Sequence, residues 1–204
     1  NAYVISDYGP SYTLPLNGLI VKFNSFTGSP LWARTYIGQY GWSAFRGIKI
    51  DRLNNICITG WSDSSHLVIK YDAGGDTLWV RKYHPPACRE VSRFACTVDD
   101  SLNIIFTGIR THYYFNGSYD SLLVVKYSSN GVLRWESTYS SGATNANLGA
   151  YITTDQNGNI YAGGGTTPCA RGGARGAVAR RARTAVRSGR EARSPAPDLR
   201  PRSG

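Results

Sequence analysis

Apolar residues in this chain fall in short runs, four to six long, rich in Ile, Val, Tyr and Trp and bounded by Gly, Asn, Asp and Ser. Runs of that length and composition predict β-strands, and no stretch carries the period of a helix. In one clear stretch the pattern predicts strand a around residues 47–51, strand b at 55–60, strand c at 67–71 and strand d at 77–83. Leu67-Val68-Ile69 is apolar on successive positions, so both faces of strand c are expected to be covered by other sheets.

The pattern repeats. Leu19-Ile20-Val21-Lys22-Phe23, Leu67-Val68-Ile69-Lys70-Tyr71 and Leu123-Val124-Val125-Lys126-Tyr127 are followed by Gly28, Gly75 and Gly131, by Trp32, Trp79 and Trp135, and by a closing Tyr36, Tyr83 and Tyr139. A second trio reads Asp-x-x-x-Asn-Ile, from Asp51, Asp99 and Asp155, with Gly60, Gly108 and Gly164 nine residues after each Asp. Lys22 to Asp51, Lys70 to Asp99 and Lys126 to Asp155 all span 29 residues, whereas Asp51 to Lys70 spans 19 and Asp99 to Lys126 spans 27. Length variation is therefore expected in the b–c connections. Four short strands per repeat of 48 to 56 residues, with sheets covered on both faces, predict an all-β fold built from β-propeller blades.

The combined pattern, most complete at Asp155-Gln156-Asn157-Gly158-Asn159-Ile160-Tyr161 and at Lys70-Tyr71-Asp72-Ala73-Gly74-Gly75, resembles the SBBP family of bacterial β-propeller repeats over residues 1 to about 165. Asn54 and Leu102 replace the turn glycine in two copies, and Cys57 and Ile105 replace the tyrosine. The segment from Asn24 to Trp32 is also similar to the tryptophan-docking element of quinoprotein propellers. The first resemblance implies an exported or surface location and a non-catalytic binding or display role for a larger bacterial protein. The second implies, as the alternative, part of a quinoprotein-like oxidoreductase.

Strand counting predicts three, four, four and two strands, about three and a quarter blades in an open arc, with blades at residues 1–36, 47–83, 95–139 and 150–165. Both this count and the absence of any Met suggest a fragment. From residue 168 onward the composition changes to Ala, Arg, Gly, Pro and Ser, without a single Lys, Ile, Asn, Phe, Tyr or Trp. A change of reading frame is the leading explanation for this 168–204 segment. A disordered basic linker and an Arg/Gly-rich tail for nucleic acid or anionic surfaces are the alternatives. The net charge of +10 sits there: residues 1–167 carry 13 Lys+Arg against 11 Asp+Glu, so the body lacks a basic footprint and nucleic acid is expected only through the tail. No apolar run is long enough for a membrane helix, and neither a signal peptide nor a membrane span is expected.

No Ser/His/Asp or paired-carboxylate arrangement suggests catalysis, no cluster suggests a metal, and no cofactor is expected. The Asp of each Asp-x-x-x-Asn is read as an Asx-turn acceptor rather than a Ca²⁺ ligand. The recurring Trp and Tyr are read as wedges between sheets, and Lys22, Lys70 and Lys126 as structural. Cys57 and Cys96 align with core positions; a Cys88–Cys96 disulfide is possible, and Cys169 lies in the tail. The sequon Asn116-Gly117-Ser118 lies in a loop. Strand parity places the b–c and d–a connections at one end of the sheets, with His66, His84 and His112. That end also holds Trp42, Trp61, Tyr113, Tyr114 and Phe115. Trp42, Trp61, His66, His112, Tyr113, Tyr114 and Phe115 are the candidate binding residues, for a protein or carbohydrate ligand, although the aromatics could instead fold back over the sheet edges.

Overall fold

A computed structural model describes residues 1–9, 16–84, 95–115, 117–140, 145–168 and 185–186, and strands account for all the regular structure among them. The first sheet is β1 (Ala2–Tyr8), β2 (Asn17–Phe23) and β3 (Pro30–Tyr36). The second is β4 (Ser43–Ile50), β5 (Ile56–Ser62), β6 (Ser65–Tyr71) and β7 (Thr77–Tyr83). The third is β8 (Ala95–Val98), β9 (Ile104–Tyr114), β10 (Gly117–Tyr127) and β11 (Leu133–Tyr139). A fourth begins with β12 (Asn145–Thr154) and β13 (Ile160–Pro168), and β14 (Ala185–Val186) pairs with the free edge of β13. Within each sheet the strands run up and down in sequence order. One parallel bridge, Asp120 to Ala146, joins the third sheet to the fourth, and the sheets do not close into a barrel. No described helix is long and apolar enough to cross a membrane.

Period-two alternation decides which neighbour each side chain meets. Ile56, Ile58, Leu67 and Ile69 face the first sheet and pack with Ile20, while Cys57 and Val68 face the third and pack with Ile104, Phe106, Leu123 and Val125. Ile105, Leu122 and Val124 then face Ile160 and Ala162 of the fourth. Three apolar layers thus separate four sheets, and the two middle sheets are covered on both faces as the apolar runs predict. Cys57 and Cys96 belong to the layer between the second and third sheets. Both thiols are free, and burial pushes them up to about 12 and about 11 respectively. Cys88 and Cys169 lie outside the described residues, as does most of the 168–204 segment.

Each Asp-x-x-x-Asn is a turn. Asp51 Oδ1 accepts the N–H groups of Leu53 and Asn55, both at 2.9 Å, and its Oδ2 accepts Asn55 Nδ2. Asp99 and Asp155 make the same three bonds. The fourth position takes a left-handed backbone in all copies: Asn54 at φ 63°, Leu102 at φ 62° and Gly158 at φ 78°. The two residues that depart from the repeat's glycine therefore keep its conformation, which asparagine tolerates and leucine adopts only at a cost.

The lysines complete these turns. Lys70 Nζ lies 3.0 Å from Asp51 Oδ2 with both side chains buried, and Lys126 Nζ lies 2.8 Å from Asp99 Oδ2 in a partly exposed setting. Burial alone would raise both carboxyls, but hydrogen bonds from the lysine and asparagine outweigh it and hold them below the ordinary range. Lys22 belongs to a sheet whose first strand is β1, and it donates instead to the Ala73 carbonyl of the second sheet at 2.8 Å.

Tryptophan joins the first sheet to the second and the second to the third. Gly75 (φ 88°) and Gly131 (φ 76°) sit in the c–d turns, and a Cβ there would come 3.0 Å from Trp32 and 2.9 Å from Trp79 of the preceding sheet. Trp79 Nε1 donates to the Ser129 carbonyl at 2.9 Å. Arg34 Nε and Arg81 Nε donate to the carbonyls of Gly75 and Gly131 at 2.9 and 2.8 Å. Gly28 occupies the same kind of turn in the first sheet, with φ 70° and nothing within 4 Å of a built Cβ. Gly131→Ala is expected to destabilise the chain by about 2 kcal/mol and Gly28→Ala by about 1, since both take the left-handed penalty but only the former strikes an indole. Chemical denaturation of the two variants measures the difference, and equal losses would refute the docking role.

Candidate functional site

At the b–c ends of the strands, the second sheet turns through Asp63 and Ser64, with Asp63 at φ 55°. A short side chain that tolerates this conformation also brings its carboxylate back over the connection from β3 to β4. Asp63 accepts the N–H groups of Gln39 and Tyr40, both at 3.0 Å, the Ser62 hydroxyl at 3.1 Å and Lys82 Nζ at 2.8 Å. Its own N–H donates to the Trp42 carbonyl at 2.8 Å. Burial works against the Asp63 charge, but these donors hold its carboxyl at about 2. One carboxylate thus latches residues 39–42 to the turn, and the latched connection presents Tyr40, 73% exposed, and Trp42, 37% exposed.

The third sheet supplies a second element at the same ends. β9 and β10 are each four residues longer than β5 and β6, which accounts for the longer Asp-to-Lys spacing. The extra residues expected in a b–c loop are instead paired strand, because Thr111 to Tyr114 find antiparallel partners in Asp120 to Gly117. Thr111 Oγ1 donates to Asp120 Oδ1 at 2.8 Å, and His112 stacks on Tyr119 with ring centres 4.6 Å apart. At the base, Arg110 pairs with Glu136 at 3.1 Å, and Glu136 also accepts the Tyr83 hydroxyl. The hairpin is therefore braced below and ends in Tyr113, 50% exposed, and Phe115, 99% exposed.

The candidate residues sort differently from the sequence expectation. Trp42, Tyr113 and Phe115 are exposed, and His112 is half-buried against Tyr119. Trp61 is a strand residue of β5 rather than a loop residue, because the b–c turn is only two residues long and the strand extends to Ser62. His66 has no exposed surface, so its assignment to the binding face is corrected. Strand alternation turns it between sheets against Tyr83 and Phe106, with ring centres 5.8 and 5.7 Å away. The side chain of Tyr114 and the sequon residue Asn116 lie outside the described set. No ring pairing joins Trp42 or Trp61 to the hairpin tip among the described residues. Tyr40 and Asp63 are the members that sequence reasoning passed over; Asp63 in a b–c turn was the only available signal.

His84 Nδ1 lies 3.0 Å from the Ser64 carbonyl, so it too stands at this end. Among the described residues no group of three or more His, Cys, Asp and Glu side chains could hold a metal ion. The surface offers aromatic faces on two braced supports, which suits contact with an apolar or ring-bearing surface.

No family model matches the chain, and no curated protein does. Among solved structures it is similar to a protein of unknown function from Bacteroides caccae, with a TM-score of 0.50 and 12% identity over 73% of this chain. The chain spans 46% of that protein's length. The likeness is one of fold: an all-β chain of successive antiparallel sheets.

Proposed function

We propose that the packed sheets are consecutive blades of a β-propeller, and that they act as a non-catalytic binding or display module of a larger exported or surface bacterial protein. The observation that carries this reading is the pair of braced elements presenting Tyr40, Trp42, Tyr113 and Phe115 at one end of the sheets. Exposed aromatics on ordered backbone lose little conformational freedom on contact, which is the property a recognition surface needs. The repeat itself supports the blade reading: up-and-down sheets packed face to face, the two middle ones four-stranded, with a tryptophan on a glycine turn at the first two junctions. The ligand is a protein or a carbohydrate with an apolar or ring-bearing face.

Immobilised polysaccharides and surface proteins of the source bacterium, tested with the full chain and with a Tyr40→Ser/Phe115→Ser variant, decide the matter. The expected result is retention of the full chain on at least one ligand, with about a tenfold loss in the variant, the scale of removing aromatic anchors. Equal retention of both proteins, or of neither, would refute the assignment of this face.

A further inference from the structure

Among the described residues only the two-residue β14 pairs with the outer edge of the fourth sheet, and the other sheets define in detail what a full partner there would contact. At each earlier junction three contacts recur: a Trp of one sheet lies on the c–d turn glycine of the next, an upstream side chain donates to the carbonyl three residues past the strand c lysine, and that lysine meets the turn aspartate of its own sheet. Trp79 with Gly131, Trp79 Nε1 with Ser129 and Lys126 with Asp99 form one set. Trp32 with Gly75, Lys22 with Ala73 and Lys70 with Asp51 form the other. Beyond the third sheet, Trp135 borders an open groove of about 720 Å³, together with Lys126, Ser129, Asn103 and Arg134. Asp155 makes the same turn as Asp51 and Asp99, yet no lysine pairs with it among the described residues; Tyr161 Oη and Asn159 Nδ2 donate to its Oδ2. In the second and third sheets the lysine stands opposite Cys57 and Ile105, and the equivalent residue of β13, Tyr161, stands opposite Ala185.

We infer that the β13 edge and the Trp135 groove together form a docking site for a β-hairpin from another polypeptide. Its first strand replaces β14 on β13, with a lysine opposite Tyr161 reaching Asp155. Its turn then places a left-handed glycine on Trp135, and Trp135 Nε1 donates to the carbonyl three residues past the lysine. The two filled junctions argue for this occupant, because the groove continues an interface whose every contact is visible one and two sheets away. A second copy of the chain is a poorer fit: its β2–β3 hairpin has Lys22 and Gly28, but β1 covers the β2 edge that would have to pair with β13. The site lies at the a–b and c–d ends of the strands, so it stands or falls apart from the aromatic face proposed above.

The probe is a labelled peptide with the sequence of residues 65–83, which carries Lys70 and Gly75, titrated into the full chain by fluorescence anisotropy. Saturable binding is expected, abolished by Trp135→Ala. Asp155→Asn in the chain keeps the turn acceptor, and Lys70→Met in the peptide keeps its length. Each should weaken binding about fivefold, and both together no more than either alone, the signature of one shared contact. No saturable binding, or losses that simply multiply, would overturn the proposal. So would sedimentation of the free chain as a dimer that Trp135→Ala dissolves, which would put a second copy in the groove.

Discussion

Lys70→Met is expected to lower the stability of the chain by about 3–5 kcal/mol, because it leaves the Asp51 carboxylate buried without its cation. Both side chains are almost fully enclosed, at 4% and 0% exposure. The companion change Lys126→Met should cost about 1–2 kcal/mol, since water still reaches both members of the Lys126–Asp99 pair and replaces part of the lost interaction. Urea denaturation of the two variants measures the contrast, which lies in burial alone because the hydrogen bonds within the two turns are the same. Two equal losses would show that burial does not set the cost. Asp51→Asn/Lys70→Met, which removes both charges, should recover much of the deficit.

The second large effect is one of acidity. His66 is enclosed between the second and third sheets, and burial lowers its imidazole to about 4 despite a hydrogen bond with the Ile109 backbone. In the unfolded chain the same group titrates near 6.5. The unfolded state therefore binds the proton first, and stability is full above about pH 6.5 and falls as the pH drops toward 4. The loss across that window approaches about 3 kcal/mol. Asp63 also has a lowered carboxyl, but its contribution is lost only below the unfolded carboxylate range, toward about pH 2. Denaturation midpoints at pH 7 and pH 4.5 should thus separate clearly in the natural chain and much less in His66→Leu. An unchanged separation in that variant would assign the acid sensitivity elsewhere.

Much of the fold was legible because the repeat carries it. Thirteen strands follow from the apolar runs, and the Asx reading of Asp51, Asp99 and Asp155 holds in every copy. What sequence could not supply was pairing. The constant 29-residue interval joins a lysine to the aspartate of the following sheet, whereas the contact in space is with the aspartate of its own sheet, 19 or 27 residues earlier. Backbone conformation was hidden as well, since Leu102 gives no sign in the sequence that it takes a glycine's place in the left-handed region. At the aromatic end, parity located the hairpin tip correctly but could not separate strand from loop, so Trp61 was read as a loop residue and His66 was placed too near the solvent. The Asp63 latch depends on a contact across 23 residues and has no local pattern.

Because Trp32 and Trp79 each rest on the turn of the following sheet, the first three sheets are joined neighbour to neighbour. Coupling of this kind makes stability a sum over sheets and the junctions between them. Such a chain can be lengthened or shortened by whole repeats in evolution, one duplication at a time, without redesign of the sheets already in place. The glycine of each added turn must still meet the tryptophan before it, so the junction, rather than the sheet, is the unit on which selection acts.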